Sequence, residues 1–246
     1  AIQCTEMQDL RFHEENFENT RNFTNKIWNA SRFVISNLED RKYSEVKLEY
    51  HLLSLSDKWI LSRLQKEIKE VTDHLENYRF SEYVKTIYNF FWNEFCDWYI
   101  EMVKPRLSQK EDPESRLVSQ TILWKVLSDN LKLLHPVMPF ITEEIWHKLP
   151  ENSESIMISS WPISEDTFID EKAEKDMEFI MESIRTIRAI RSEFNISPSD
   201  VIKVDFYTLD KDKEILLLGN SGYFATLAKA EINKVDEKKD IKNVVH

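Results

Sequence analysis

The sequence contains 246 residues, with 33 Lys or Arg against 44 Asp or Glu, so its formal net charge is −11, and 41% of its residues are hydrophobic. The two glycines are too few for a Gly-rich phosphate-binding loop, which excludes a P-loop and a dinucleotide-binding fingerprint within this chain. Two glycines and seven prolines also leave few positions for tight turns, so the composition favours a soluble protein of long helices.

Two long amphipathic helices are predicted in the first part of the chain, over about residues 14–38 and 56–77. In each of them, apolar residues recur every three or four positions, so they share one face of the helix. A serine is expected to cap the start of the second helix. The apolar positions are Phe23, Ile27, Ala30, Val34 and Leu38 in the first helix, and Ile60, Leu64, Ile68, Val71 and Leu75 in the second. Both helices are therefore expected to face the core.

A third helix is predicted to begin at Ser81 and to occupy the centre of the fold. It has almost no polar face, which indicates that other elements surround it on most sides. Its aromatic residues are Tyr88, Phe90, Phe91, Trp92, Phe95, Trp98 and Tyr99. The polar stretch from Pro105 to Pro113 is expected to form a linker. A helix over residues 117–134 is then expected to stop at the His135–Pro136 pair.

Three more elements are predicted before residue 198. Pro139 is placed to open a short helix, and the alternation of Ile156 and Ile158 is typical of a short extended strand. A long helix is predicted from about Glu171 to Asn195. Its apolar side consists of Ile180, Ile184, Ile187, Ile190 and Phe194.

The pattern changes beyond Pro198. Alternation in residues 201–208 predicts a strand, residues 211–229 are predicted to be helical, and Ile232 with Val235 indicates another strand. The predicted fold is thus mainly α, with a helical bundle over residues 1–198 and a small α+β subdomain over residues 199–246.

Features of a catalytic or metal site are scarce. Cys4 and Cys96 form no CxxC pair and have no histidines at metal-ligand spacing, so no metal site is expected. Cys96 lies in the most apolar helix and is expected to be a small buried hydrophobe. Glu143 and Glu144 point about 100° apart on a helix, so they are poorly placed to act on one substrate atom. Without a signal peptide or an apolar run of about 18 residues, a cytoplasmic protein without a membrane partner is expected. It is also expected to be a monomer.

The first predicted helix carries a polar side opposite its apolar stripe. Amide side chains hydrogen-bond base edges, a guanidinium or phenyl ring stacks on an unpaired base, and cations contact phosphates. The alternative is an ordinary solvated helix face, since Lys and Arg are mostly exposed in any protein. Trp28, beside Ile27, is expected to pack between helices. The residues of this polar side are Arg21, Asn22, Asn25, Lys26, Asn29, Arg32 and Phe33.

Four stretches of the chain, in the same order, resemble landmarks of bacterial-type valyl-tRNA synthetases, which are class Ia aminoacyl-tRNA synthetases. They are RNFTNKIWNASRFV (21–34), YRFSEYVKTIYNFFWNEFCDWYIE (78–101), HPVMPFITEEIW (135–146) and IRSEFNISPS (190–199). Strings like the third also occur in the leucyl and isoleucyl relatives, whereas NKIWNASRFV, FCDWYIE and RSEFNISP point to the valyl family. The resemblance implies the anticodon-binding helical bundle of such an enzyme, followed by its small α+β subdomain.

By this resemblance the chain recognises the anticodon stem-loop of valine tRNA, tRNA(Val), and does not itself catalyse the reaction. The HIGH-like and KMSKS-like signatures of the family and its editing domain are absent. ATP, the parent enzyme's cofactor, and valine are therefore expected to bind a catalytic domain of the same polypeptide that lies outside this chain. The tRNA-binding residues implied are Arg21, Asn25, Lys26, Asn29, Arg32 and Phe33, with Phe33 as the ring that stacks on a base.

Two other functions stay open at this point. One is the homologous domain of an isoleucyl- or leucyl-tRNA synthetase, and the other is a helical module that binds a protein instead of RNA. A second row of cations, Arg185, Arg188 and Arg191, is expected to pair with Glu178 or Glu182 in preference to contacting tRNA.

Overall fold

The computed structural model describes residues 14–108, 111–151 and 154–237. The protein is mainly helical with a small two-stranded parallel sheet, which confirms the predicted fold class. The chain divides into two compact units, residues 1–171 (unit 1) and residues 172–246 (unit 2). Across the described ranges, no helix is both long enough and apolar enough to cross a membrane.

Unit 1 is a bundle of helices joined by short 3-10 turns. Its α-helices are α1 (Glu14–Asn37), α2 (Leu55–Glu76), α3 (Phe80–Asn89), α4 (Ile100–Ser108), α5 (Pro113–Leu134) and α6 (Pro139–Trp146). Between α3 and α4 the chain continues as a π-helix, Phe90–Tyr99, in which backbone hydrogen bonds span five residues instead of four. The 3-10 turns are Tyr43–Glu45, Tyr50–Leu52, Ile156–Ile158 and Asp166–Phe168.

The predicted apolar stripes of α1 and α2 form part of the core of unit 1. Ile27 and Val34 on α1, and Ile60 and Leu64 on α2, are completely buried. Ser54 caps α2 as the predicted serine, since its hydroxyl accepts from the Asp57 backbone N–H and the Asp57 carboxylate accepts from the Ser54 N–H. The bounds of both helices agree with the prediction to within about two residues, which is the usual uncertainty of helix ends.

The aromatic helix lies at the centre of unit 1, as predicted. Phe91, Phe95 and Tyr99 in the π-helix are fully buried. Phe23 of α1 packs against this helix, with its ring centroid 4.8 Å from that of Tyr88. These buried rings connect α1 directly to the central helix.

The predicted linker at Pro105 is wrong, because α4 continues through this proline to Ser108. A proline inside a helix removes one backbone hydrogen bond and is strongly destabilising in isolation. Here the following residue is fixed by tertiary contacts: the Arg106 guanidinium Nη1 lies 2.7 Å from the buried carboxylate of Asp57. Leu107 is buried beside it. These contacts override the local preference of proline.

Two further boundaries differ from prediction. The fifth helix begins at Pro113 instead of residue 117, because the Asp112 carboxylate accepts from the Ser115 backbone N–H and caps it. The predicted strand at Ile156 and Ile158 is wrong, since these residues form a 3-10 turn. In a strand these two residues would share one face, but Ile156 is buried and Ile158 is exposed, as a turn allows.

Unit 2 contains the long helix and the sheet predicted near the end of the chain. Its elements are α7 (Glu171–Glu193), β1 (Ile202–Tyr207), α8 (Lys211–Gly219), α9 (Ser221–Ala228) and β2 (Ala230–Asp236). Ile180, Ile184 and Ile187 on α7 are buried as predicted, whereas Ile190 and Phe194 are exposed. The two strands are parallel, with Ile202 opposite Ala230.

The division between the units falls at the start of α7, between residues 171 and 172, whereas the predicted domain boundary falls after this helix, at residue 198. The contacts thus group α7 with the strands that follow it. The boundary between a bundle over 1–198 and a subdomain over 199–246 stays a prediction.

Candidate nucleic-acid interface

The six residues predicted to bind tRNA lie along α1. Arg21, Asn25, Asn29 and Arg32 are exposed. Because successive residues of an α-helix are rotated by about 100°, these four share a sector of roughly 80°. Arg21 and Arg32 are three turns apart, or about 16 Å. The structure therefore brings two guanidinium groups and two amides onto one solvent-facing side of the helix.

Lys26 lies at the edge of this side, where α1 meets the π-helix. Its Nζ is 2.6 Å from Asp97 Oδ1 and 5.1 Å from the centroid of the Trp92 ring. The side chains of Lys26 and Asp97 are 30% and 45% exposed. An ion pair this open to water contributes about 0–1 kcal/mol. The ammonium group is therefore oriented by Asp97 but not locked to it.

Phe33 occupies the corresponding edge position two turns further along. Its ring is half-buried, and Lys104 Nζ of α4 lies 5.7 Å from the ring centroid. The backbone carbonyl of Phe33 accepts from Ser36 Oγ and Asn37 Nδ2, each at 2.8 Å. One part of the ring is thus engaged with α4, and only the remainder faces solvent.

The two arginines of the α1 face carry positive charges that no described acidic side chain neutralises. Neither Arg21 nor Arg32 forms an ion pair with any residue that the structure describes. In a chain with a net charge of −11, such cations are a local positive feature on an acidic protein. This electrostatic arrangement suits a ligand with negatively charged phosphates.

Trp28 differs from its prediction. The sequence predicts that it packs between helices, yet it is 39% exposed. It lies on the same side of α1 as Arg21, Asn25 and Arg32, because the successive intervals in the series 21, 25, 28 and 32 are four, three and four residues. The spacing of Trp28 from the polar residues is the sequence signal for its exposure. The neighbouring Ile27, which belongs to the apolar stripe, favours a buried position instead. The exposed face of α1 therefore contains an indole as well as cations and amides.

The second cationic row, on α7, does not form a free patch. Arg185 Nη1 lies 2.7 Å from Glu178 and 3.1 Å from Glu182, so the predicted pairing is confirmed for this residue. Arg188 Nε donates to the carbonyl of Leu227 at 2.9 Å. Arg191 is buried and donates to the backbone carbonyls at positions 197, 200 and 229. Arg191 is therefore a structural residue of unit 2.

The predicted burial of Cys96 is confirmed. The residue is 6% exposed, and burial raises the pKa of its thiol to about 12. Because the thiolate is the reactive form of cysteine, this group is chemically inert at neutral pH.

Comparison with known proteins agrees with the resemblance found in the sequence. Residues 57–206 match the family model of the anticodon-binding domain of tRNA ligase. The chain is 49% identical over 224 residues to the valine–tRNA ligase of Thermotoga maritima, a match that covers 89% of this chain and 25% of that protein. It is 46% identical over 236 residues to the valine–tRNA ligase of Clostridium perfringens, covering 96% of this chain and 26% of that protein.

The valine–tRNA ligase of Bacillus cereus is 44% identical over 216 residues, covering 88% of this chain and 24% of that protein. The chain thus spans about a quarter of the length of the curated relatives it matches. These matches confirm the predicted resemblance to valyl-tRNA synthetases. The family model alone covers more than half of the residues, and the chain therefore belongs to the family of anticodon-binding domains of tRNA ligases.

Proposed function

We propose that this chain recognises the anticodon stem-loop of tRNA(Val) and serves a valine–tRNA ligase. Family membership supports RNA binding, and the names of the relatives support valine. On this proposal, ATP-dependent attachment of valine to tRNA takes place in a catalytic domain of the same polypeptide, which also holds the ATP. The parent protein is proposed to be a cytoplasmic monomer that takes part in protein biosynthesis.

The observation that carries the proposal is the exposed polar face of α1. Arg21 and Arg32 present guanidinium groups without ion-pair partners among the described residues, and Asn25 and Asn29 present amides between them. Guanidinium groups bind phosphates, and amides hydrogen-bond the edges of unpaired bases. Because the protein is acidic overall, binding is expected to depend on these few cations and to show a modest dependence on salt.

Lys26 and Phe33 complete the proposed contact surface from its edge. Lys26 is held by a weak ion pair with Asp97, so a phosphate is able to compete for its ammonium group. The exposed part of the Phe33 ring is proposed to stack on a base. Both side chains are positioned by the central helix and α4, which gives the surface a rigid support.

The first experiment measures the affinity of the 246-residue chain for an RNA hairpin with the tRNA(Val) anticodon stem-loop sequence. Arg32→Ala and Phe33→Ala are each expected to weaken binding by about 1–3 kcal/mol, since each removes one phosphate or stacking contact. Lys47→Ala is the matched control, because it removes an exposed positive charge from the connection between α1 and α2. All seven tryptophans precede residue 162, so their fluorescence verifies that unit 1 remains folded.

The outcome separates this proposal from its alternatives. Unchanged affinity in both folded variants would refute the assignment of the α1 face. A domain of an isoleucyl-tRNA synthetase would prefer a different anticodon, and a leucyl relative would depend little on the anticodon. A protein-interaction module would bind none of these hairpins. Hairpins with the isoleucine and leucine anticodons are therefore included in the same titration series.

A further inference from the structure

We propose that Trp28 is a base-stacking platform on the exposed face of α1, in addition to the residues named above. This inference rests on the proposed binding of RNA by α1 and identifies one further side chain that contacts the unpaired bases. It rests on three kinds of group that share one stripe of a single helix: an exposed indole, an amide, and two guanidinium groups that form no ion pair with the described residues.

The stripe consists of Arg21, Asn25, Trp28 and Arg32. Their intervals of four, three and four residues align them along one line on the helix surface. All four side chains are exposed. The neighbouring line, which contains Lys26 and Phe33, lies closer to the π-helix and α4. The structure thus distinguishes two parallel lines on α1, and the one with Trp28 faces solvent more fully.

The exposure of Trp28 contrasts with that of every other tryptophan in the protein. All seven tryptophans fall within the described residues, and Trp28 alone among them is exposed. The indole N–H of Trp124, Trp146 and Trp161 each donates to an oxygen of unit 1. The indole N–H of Trp28 has no such acceptor among the residues that the structure describes. The exposed 39% of Trp28 offers an aromatic surface together with an indole N–H that has no acceptor within the described part of the chain, and such a ring is suited to stack on a base.

The residues beside Trp28 indicate which kind of ligand would bind there. Asn25 lies three residues before it and Arg32 four residues after it, so both flank the indole on the helix surface. A base stacked on the indole would have an amide within reach of its edge and a guanidinium within reach of the adjoining phosphate. An apolar protein surface would cover the indole but would give the charge of Arg32 no partner. The arrangement therefore favours an unpaired nucleotide.

Phe33 is less available for stacking than Trp28. Lys104 Nζ lies over the Phe33 ring, and the ring is half-buried against α4. The described residues place no cation over the Trp28 ring. Trp28 consequently offers a larger ring with a freer face, and the two aromatics together contact different positions of the loop.

The experiment compares Trp28→Leu and Trp28→Phe with the native chain, using the tRNA(Val) anticodon hairpin and reading the dissociation constant by fluorescence anisotropy of labelled RNA. Leucine retains apolar surface without a planar ring, so Trp28→Leu is expected to raise the dissociation constant by about 5- to 150-fold. Trp28→Phe retains a ring and is expected to lose less affinity. Phe140→Leu, which alters an aromatic side chain that is 91% exposed on α6, is the matched control.

A second arm tests whether the lost contact is with a base. Each unpaired loop nucleotide is replaced in turn by an abasic residue, and the hairpins are titrated with native chain and with Trp28→Leu. At the nucleotide that stacks on Trp28, removal of the base is expected to abolish the effect of Trp28→Leu, because both changes delete the same contact. If Trp28→Leu binds the intact hairpin like the native chain, or if its effect is the same with every abasic hairpin, the stacking role is refuted.

The two proposals fail in different ways. If Arg32→Ala weakens binding and Trp28→Leu does not, the stacking role is wrong and RNA binding by α1 stands. If neither of these variants nor Phe33→Ala weakens binding, the proposed α1 interface itself is refuted. Because Trp28 is exposed, loss of the fold in Trp28→Leu is not expected, and the intrinsic fluorescence of the other tryptophans verifies this in each variant.

Discussion

A buried carboxyl group makes the stability of unit 1 dependent on pH. Glu67 on α2 is 3% exposed. Burial raises its pKa well above 4.5, with the charges of Glu94 and Asp129 adding to the shift. The Asn130 side-chain amide, which donates to Glu67 Oε2 at 3.3 Å, and the positive charge of Arg63 oppose it. Among the described residues, Glu67 Oε1 and Asn130 Oδ1 have no hydrogen-bond partner.

The direction of this shift fixes the sign of the pH dependence. Above pH 4.5 the unfolded chain loses the Glu67 proton, while the folded protein keeps it. The unfolded state then binds fewer protons, so the free energy of unfolding decreases as pH rises. The stability that the protonated Glu67 carboxyl contributes is fully present below pH 4.5. It is lost as the pH rises through the pKa of Glu67 in the folded protein. Within this window, Glu67 lowers stability by up to about 1.4 kcal/mol per pH unit.

Glu67→Gln is therefore expected to stabilise unit 1. The glutamine oxygen replaces Oε2 as acceptor for Asn130, and its amide is suited to donate to the unpartnered Asn130 Oδ1. The gain should be small near about pH 4.5 and should exceed about 1 kcal/mol at neutral pH. Urea unfolding followed by tryptophan fluorescence, from about pH 4.5 to about pH 8, measures this difference for unit 1.

The matched control is Glu76→Gln, which makes the same change at an exposed position near the end of α2. It should shift the free energy of unfolding by less than about 0.5 kcal/mol at every pH. If Glu67→Gln destabilises the protein at neutral pH, or if its effect is independent of pH, the carboxyl is ionised in the folded state and the reasoning is refuted.

Two further predictions concern buried groups of unit 1. Arg106→Ala leaves the Asp57 carboxylate, which is completely buried, without its guanidinium partner. It should therefore destabilise unit 1 by about 3–5 kcal/mol in urea unfolding, and a loss below about 1 kcal/mol would contradict this account. In a Cys4→Ser chain, the Cys96 thiol, whose pKa is raised to about 12 by burial, should react with a thiol reagent only as fast as the protein unfolds. Rapid labelling under native conditions would show that the thiol is accessible.

The helices of unit 1 were predictable where burial follows the helical repeat. Ile27 and Val34 on α1, and Leu64 on α2, lie on faces that the spacing of apolar residues identifies, and the structure buries all three. The two parallel strands of unit 2 were predictable from alternation after Pro198, because the period of two differs clearly from that of a helix. These are local patterns that each element carries in its own sequence.

Features set by distant contacts were not predictable. Pro105 indicated a linker, but Arg106 is held by Asp57, which is far away in the sequence. Burial of Arg191 depends on backbone carbonyls that only the folded unit 2 brings together. The π-helix is another such feature, since a run of aromatic residues is compatible with an α-helix as well as with a π-helix.

The candidate site was partly accessible to sequence reasoning. The polar side of α1 followed from residue spacing, and the structure leaves Arg21 and Arg32 exposed on it. The exposure of Trp28 did not follow from the sequence, because its neighbour Ile27 is buried and an indole beside a core residue is typical of a helix–helix contact. The partial engagement of Phe33 with Lys104 also required knowledge of where α4 lies.

The π-helix at Phe90–Tyr99 has a consequence for how this part of the chain can vary in length. Inserting or deleting one residue there would turn the later side chains of the helix by a large fraction of a turn. Asp97 would then turn away from Lys26, and Tyr99, whose hydroxyl donates to Asp57, would leave its acceptor. Homologous chains are thus expected to exchange side chains in this stretch while keeping its residue count, because a gap would misalign the support of α1.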